Sequence, residues 1–380
     1  MVTGSLQKKG STYYAVICFN NNGNQTQKWI SSKISTESGN KRKAQAFLKA
    51  KIEEYENIED SDATRILFCD FLADWVEIRK MSIAPSTHSY YLGMLKNATA
   101  YFKKLKITLT NLTALHISRY ITHLMKTVSP NTAIKFLGFI RTALDYAVKM
   151  KMVKENVAYL VEKPKKQKFN SNHYSLAEIN QLLKVIKGET IEIPVTLVAY
   201  LGLRRSEVVG LRWSAIDLEN RKLTIQHKVV HINDAGKYRL YASDNLKNSS
   251  SYRSLPLGEN LYNYLLNVKT NQEENKKLYG NSYNYDFEDY VCVDDLGNLI
   301  NPNYISCKFG KILKKYNMRH IRFHDLRHSS ASLLLSMGYN MKNIQLWLGH
   351  GDIGTTMNIY VHIDDSAKVE MMDGLSQVLN

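Results

Sequence analysis

The densest chemistry in this chain lies near its C-terminus, where HDLRH spans His324 to His328, LGH spans Leu348 to His350, and Tyr360 follows ten residues later. Imidazoles exchange protons near neutral pH, a guanidinium holds an oxyanion through a planar fork of donors, and a phenol can act as a nucleophile. On a helix over residues 324–334, His324, Arg327 and His328 stand at i, i+3 and i+4 and share one face. Such a face suits an anionic substrate. Each residue alone also has a structural reading: a His-x-x-Arg pair is common on helix surfaces and in cores, and the chain has 24 tyrosines.

The order His-x-x-Arg, Leu-Gly-His, tyrosine resembles the C-terminal signature of the tyrosine recombinases, or phage-integrase family. The upstream sequence resembles the rest of that signature. YLGLRRSEVVGLRW (Tyr200 to Trp213) is similar to the family's first-arginine box, with Arg204 after the Gly-Leu pair and Glu207 three residues on. LKNSSSYRSLPL (Leu246 to Leu257) is similar to its β-hairpin lysine segment, which makes Lys247 the lysine and puts Arg253 on the returning strand. The resemblance thus fills six catalytic positions: Arg204, Lys247, His324, Arg327, His350 and Tyr360. Four separated boxes in the right order outweigh the separate structural readings.

What the resemblance implies is cleavage of DNA without water. Tyr360 would become joined to phosphate and later be expelled, so the bond energy is kept and resealing needs no ATP. Arg204 and Arg327 would clamp the non-bridging oxygens, which a lysine cannot do in the same geometry. Lys247 would protonate the leaving 5′ oxygen, His324 would serve as acid or base, and His350 would hydrogen-bond the phosphate. No metal or other cofactor is implied. Glu207 and Asp325 match acidic positions of the family, where they would orient Arg204 or pair with a neighbour. His328 and His362 read as structural, as do Leu326, Ser330, Leu333 and Met337, which form a core stripe.

Composition agrees with a polyanionic partner. Among 380 residues, 51 Lys and Arg face 35 Asp and Glu, a formal charge of +16. No apolar run of about 18 residues and no signal-peptide core is present, which favours nucleic acid over membrane and a cytoplasmic protein, nucleoid-associated when bound. Cys18, Cys69, Cys292 and Cys307 stand far apart and read as reduced, buried thiols.

The elements that must position these groups predict a mainly α fold with small β-sheets (α+β). Residues 1–60 read as a three-stranded sheet plus helix, with a hairpin at Asn22-Gly23 and apolar helix positions at Ala44, Leu48, Ile52 and Tyr55. This resembles an arm-type DNA-binding domain. Residues 61–162 read as four or five helices, similar to the family's core-binding domain, with Lys96, Lys103, Lys104, Lys135 and Arg141 on the faces away from the stripes. Residues 163–174, proline- and lysine-rich, read as a basic linker. Residues 175–380 form the mixed α/β catalytic domain, with KLTIQHKVVHI as strand sequence, a turn at Asn233 to Gly236, and a C-terminal tail carrying Val369, Met371, Met372, Leu375, Val378 and Leu379.

The expected function is site-specific recombination: four protomers on two duplexes, exchanging strands through a Holliday junction, with an excisionase or DNA-bending factor setting direction. Two other readings compete. A type IB topoisomerase would share the tyrosine and arginines but relax supercoils at any sequence. A silent DNA-binding regulator would take MGYNMKNIQLWLGH as part of a helix-turn-helix and form no covalent adduct.

Overall fold

Alternating apolar and polar residues near the N-terminus fold into an antiparallel meander of β1 (Val2–Lys9), β2 (Thr12–Asn21) and β3 (Asn24–Ser35). The computed structural model describes residues 2–21, 24–59, 65–167, 172–234, 236–244, 246, 249–351, 372, 373 and 376. Contacts divide the chain into two units, Met1–Lys168 and Phe169–Asn380.

In the first unit β2 pairs with β3 up to Asn21↔Asn24, while the hairpin pair Asn22-Gly23 lies outside the described residues. Ala15 and Ile17 point from one face of β2 onto α1 (Lys41–Glu59), where Phe47, Leu48, Ile52 and Tyr55 close a small apolar cluster. Four more helices follow: α2 (Phe68–Arg79), α3 (Pro85–Leu105), α4 (Ala114–Leu124) and α5 (Pro130–Lys149). Pro85 and Pro130 occupy first turns, where a missing N–H costs nothing. Thr113 and His116 cap α4 reciprocally, and the Ser129 side chain caps α5.

The helices bury Phe68, Trp75, Phe102, Ile117, Tyr120, Leu137 and Ile140 in a second cluster, each burial stabilising by about 1.5–3 kcal/mol. Lys96, Lys103, Lys104 and Lys135 remain exposed. Arg141 does not belong with them: its Nε and Nη2 donate to the carbonyls of Ala158 (3.1 Å) and Val161 (2.9 Å). It pins the turn after α5, sharing the Ala158 carbonyl with the Val161 backbone N–H and taking the Val161 carbonyl as a second acceptor.

The second unit runs α6 (Leu176–Val185), α7 (Glu192–Leu201), α8 (Arg205–Val209), β4 (Ile216–Asp217), β5 (Lys222–Ile225), β6 (Lys228–Asp234), β7 (Lys237–Ser243), β8 (Arg253–Pro256), α9 (Glu259–Tyr279), α10 (Pro302–Lys315), α11 (Phe323–Ser336) and α12 (Met341–Leu348). The strand-like run KLTIQHKVVHI is two strands: β5 joins a sheet in the order β4-β5-β8, and β6 forms a separate hairpin with β7. The chain breaks at Gln226 and His227, where the His227 side chain turns inward to hydrogen-bond. The long helix α9 carried no expectation from the sequence.

Two small residues let α7 pack closely on α11 and α12. Ser330 donates to the Val198 and Ala199 carbonyls, each at 2.9 Å. Gly202 ends α7 at φ +61°, where a Cβ would sit 2.5 Å from the Leu348 side chain. Of the stripe on α11, Leu326 and Ser330 are buried and Leu333 half-buried, but Met337 is 65% exposed because the helix ends there and leaves the core. The cysteines also differ from expectation: Cys69 and Cys292 are buried, Cys18 is half-buried and Cys307 is exposed on the outer face of α10. No helix among the described residues is long and apolar enough to cross a membrane.

Candidate active site

Arg204 lies at the junction of α7 and α8, where it is the N-cap residue and Glu207 the third helical position. The Glu207 carboxylate accepts from the Arg204 backbone N–H at 3.0 Å and from its guanidinium, so one acid both caps α8 and orients the arginine. Glu207 is 3% exposed. It also receives Arg253 Nη2 at 3.0 Å and lies 3.9 Å from Arg327 Nη1. Burial alone would raise its pKa, but the Arg253 and Arg204 charges outweigh that and hold the carboxyl below its usual range.

Arg327 projects from α11 and is 0% exposed. Its Nη1 donates to the Gly202 carbonyl and its Nη2 to the Leu348 carbonyl, both at 2.6 Å, while its Nε has no hydrogen-bond partner among the described residues. Loss of hydration, with Arg204 nearby, pushes its pKa down to about 9.

The C-terminus of α12 organises all three arginines. Three successive carbonyls each take one guanidinium: Trp347 from Arg253 (2.7 Å), Leu348 from Arg327 (2.6 Å) and Gly349 from Arg204 (2.6 Å). These are helix-end carbonyls that need donors and carry the negative end of the helix dipole. Arg253 also gives Nη1 to the Ser251 carbonyl (3.1 Å), and Arg204 gives Nη1 to the Ser251 hydroxyl (3.3 Å). Three guanidiniums thus surround one carboxylate, a surplus of two positive charges.

His350 follows directly, 7% exposed, its pKa pushed down to about 3 by burial and by Arg327 and Arg204. His324 stands on α11 with its ring 5.2 Å from that of His328. It reaches solvent, yet reduced hydration and the charges of His328 and Arg327 lower it to about 4. Both imidazoles are neutral at neutral pH, each with one donor and one acceptor nitrogen. His328 is half-buried, its Nδ1 without a hydrogen-bond partner among the described residues. Asp325 does not touch Arg204; it caps α11 and binds Arg322 through the backbone N–H (2.9 Å) and the guanidinium (2.6 Å).

Four of the six catalytic positions expected from sequence, Arg204, His324, Arg327 and His350, are therefore placed in one unit, with Arg204 bonded to Gly349 and Arg327 to Leu348, the two residues before His350. Lys247, Tyr360 and His362 lie outside the described residues. So does most of the C-terminal tail; Met372, Asp373 and Ser376 are helical. Sequence reasoning put Arg253 on the returning strand without assigning it to the site, and it missed Ser251. The available signal was a charged residue at the head of a strand whose alternate residue, Leu255, is core.

The histidines make stability depend on pH. Each binds a proton less readily folded than unfolded, so below about pH 6.5 the unfolded state takes up more protons. The stability is complete above that value and is lost as pH falls toward about 4 for His324 and about 3 for His350. The melting temperature of the DNA-free protein should fall between about pH 7 and pH 5, and less steeply in His350→Gln. A flat or rising profile would contradict this charge balance.

Residues 174–367 match the profile described as the phage integrase family, and residues 67–168 match a phage integrase SAM-like domain. The chain is 27% identical over 391 aligned positions to a tyrosine recombinase XerC-like protein of Caldanaerobacter subterraneus, covering 98% of this chain and 97% of that one. Among solved structures it is similar to the Tn1549 transposon integrase in complex with a circular intermediate DNA, with TM-score 0.64 at 19% identity over 81% of this chain and 99% of that one. A lambda integrase tetramer bound to a Holliday junction superposes with TM-score 0.56 at 14% identity over 90% of this chain and 92% of that one.

Proposed function

The chain belongs to the phage integrase family and is a tyrosine recombinase, a DNA breaking-rejoining enzyme, and from that premise we propose that it integrates and excises a mobile element at specific attachment sites through a 3′-phosphotyrosine intermediate. The observation that carries this reading is the arginine cluster: Arg204, Arg253 and Arg327 around the single carboxylate of Glu207. Its surplus of two positive charges suits a phosphodiester, whose charge grows from one to two as a nucleophile adds.

The steps assign one role to each group. The Tyr360 oxygen attacks the scissile phosphorus while Arg204 and Arg327 hold the non-bridging oxygens. His350 hydrogen-bonds the phosphate, and His324, neutral at working pH, takes the phenolic proton. The bond to the 5′ oxygen breaks, and Lys247 protonates that oxygen as it leaves. Rejoining reverses these steps with the 5′ hydroxyl of a partner strand. No metal or ATP enters the scheme, since the guanidiniums supply the charge and the phosphotyrosine keeps the bond energy.

Four protomers hold two duplexes, an assembly supported by the likeness to the lambda integrase tetramer. Residues 1–60 bind arm-type sites, residues 61–162 bind the core site, and the lysines of 163–174 follow the duplex between them. An excisionase or DNA-bending factor sets the direction. The protein works in the bacterial cytoplasm, on the nucleoid.

The deciding experiment is a nicked suicide substrate carrying the attachment site. A protein-DNA adduct that survives denaturant supports the reading, and its absence under conditions where the site is bound overturns it. Supercoil relaxation at any sequence would assign the chain to type IB topoisomerases instead.

A further inference from the structure

His227 sits at the break between β5 and β6 and is buried, with both ring nitrogens engaged. Its Nε2 lies 3.1 Å from Arg212 Nη2 and 3.0 Å from the Tyr290 hydroxyl. Arginine only donates, so Nε2 is the acceptor and the ring proton is on Nδ1. Nδ1 therefore donates to the Asp244 carboxylate, at 2.5 Å. Burial lowers the His227 pKa despite Asp244, in agreement with a neutral ring, and the hydrogen bond from His227 lowers that of Asp244.

The location of this pair gives it meaning. The β6-β7 ladder ends at Lys228↔Ser243, so His227 and Asp244 are the residues just outside its last pair and close its open end. The base of the hairpin is also pressed against the helix that follows Arg204: a Cβ on Gly210, at the end of α8, would lie 2.6 Å from the Lys228 Cα. Asp244 itself is exposed, its side chain 77% accessible, so it contributes no core packing. Lys247 comes three residues after it. On the far side, Ser251 is buried and bonded by Arg204 and Arg253.

We infer that His227 and Asp244 are positioning residues for the general acid: their hydrogen bond fixes the end of β7 against Arg212 and Tyr290 and so sets the point from which the chain carries Lys247 to the leaving 5′ oxygen. The inference rests on the proposed role of Lys247.

The test exploits the leaving group. In an ordinary substrate the bond from phosphorus to the 5′ oxygen breaks and that oxygen takes a proton from Lys247. In a 5′-bridging phosphorothiolate the bond from phosphorus to sulfur breaks and a thiolate departs without needing the proton. Single-turnover adduct formation is measured on both substrates for wild type, Lys247→Ala, His227→Gln, Asp244→Ala and Asp244→Asn. Lys247→Ala should slow cleavage of the ordinary substrate by about a hundredfold or more and recover on the thiolate substrate. His227→Gln and Asp244→Ala should slow it by about ten- to a hundredfold and also recover, with Asp244→Asn, whose amide oxygen still accepts from His227, keeping part of the rate.

Normal cleavage of the ordinary substrate by Asp244→Ala would overturn the inference. So would a defect in the His227 and Asp244 variants that persists on the thiolate substrate while Lys247→Ala recovers. Failure of Lys247→Ala itself to recover would instead overturn the assignment of the general acid, on which the inference stands.

Discussion

Tyr360→Phe is expected to abolish the covalent protein-DNA adduct while leaving affinity for the attachment site unchanged at a given salt concentration. The substitution removes one oxygen and nothing else, so the arginine cluster and the basic surface that hold DNA remain. The nucleophile is the only part of the site for which water cannot substitute without changing the product, since hydrolysis would lose the phosphotyrosine bond. Other tyrosines are poorly suited. The Tyr174 hydroxyl donates to the Arg319 carbonyl at 2.5 Å, and burial pushes its pKa up to about 12. Tyr120 is buried and shifted in the same direction. Tyr252, next to Arg253, is exposed, with its hydroxyl on Gln226 at 2.9 Å, which makes Tyr252→Phe the informative control. An adduct that persists in Tyr360→Phe and disappears in Tyr252→Phe would move the nucleophile to the hairpin segment.

The second large effect separates activity from stability at Arg327. Arg327→Met should reduce adduct formation by about a hundred- to a thousandfold, as expected for loss of a donor to a developing oxyanion. Its effect on folding should be small, within about 1 kcal/mol. Arg327 is wholly buried, and a pKa lowered to about 9 means that its hydrogen bonds and Glu207 do not repay the lost hydration of the cation. Methionine relieves that cost and fills similar space, though the Gly202 and Leu348 carbonyls lose their donors. Glu207 keeps Arg204 and Arg253 as partners. By contrast Leu326→Ala, one position earlier in the same core, should lower stability by about 2–5 kcal/mol. Chemical denaturation of both variants beside single-turnover cleavage measures the difference. A loss above about 3 kcal/mol in Arg327→Met would show that the guanidinium holds the fold together.

Local features are legible in the residues alone. The i, i+3, i+4 spacing of His324, Arg327 and His328 lies on α11, the capping pair of Ser175 and Glu178 begins α6, and Pro85 and Pro130 begin helices. The three-stranded N-terminal sheet follows from alternation and turn residues. Where local pattern and tertiary demand diverge, the pattern misleads. KLTIQHKVVHI alternates like one strand, but His227 is drawn inward by Asp244, Arg212 and Tyr290. Arg141 sits on a polar face by periodicity, but the carbonyls of Ala158 and Val161 in the turn after α5 hold it.

By itself the sequence determined which groups are available and in what order: two arginines, two histidines, a lysine and a tyrosine in boxes that resemble one family, on a chain of charge +16. Helix faces and caps came with it, because they depend on neighbours within about four residues. Only the tertiary structure decided that Arg253 joins Arg204 and Arg327 around Glu207, and that the end of α12 presents one carbonyl to each. The partners in those bonds are 145 residues apart for Arg204 and Gly349 and 94 apart for Arg253 and Trp347. No periodicity reaches that far. Helix-end carbonyls look alike in any sequence, and which buried cation satisfies them is settled by how α7, α8, β8, α11 and α12 pack.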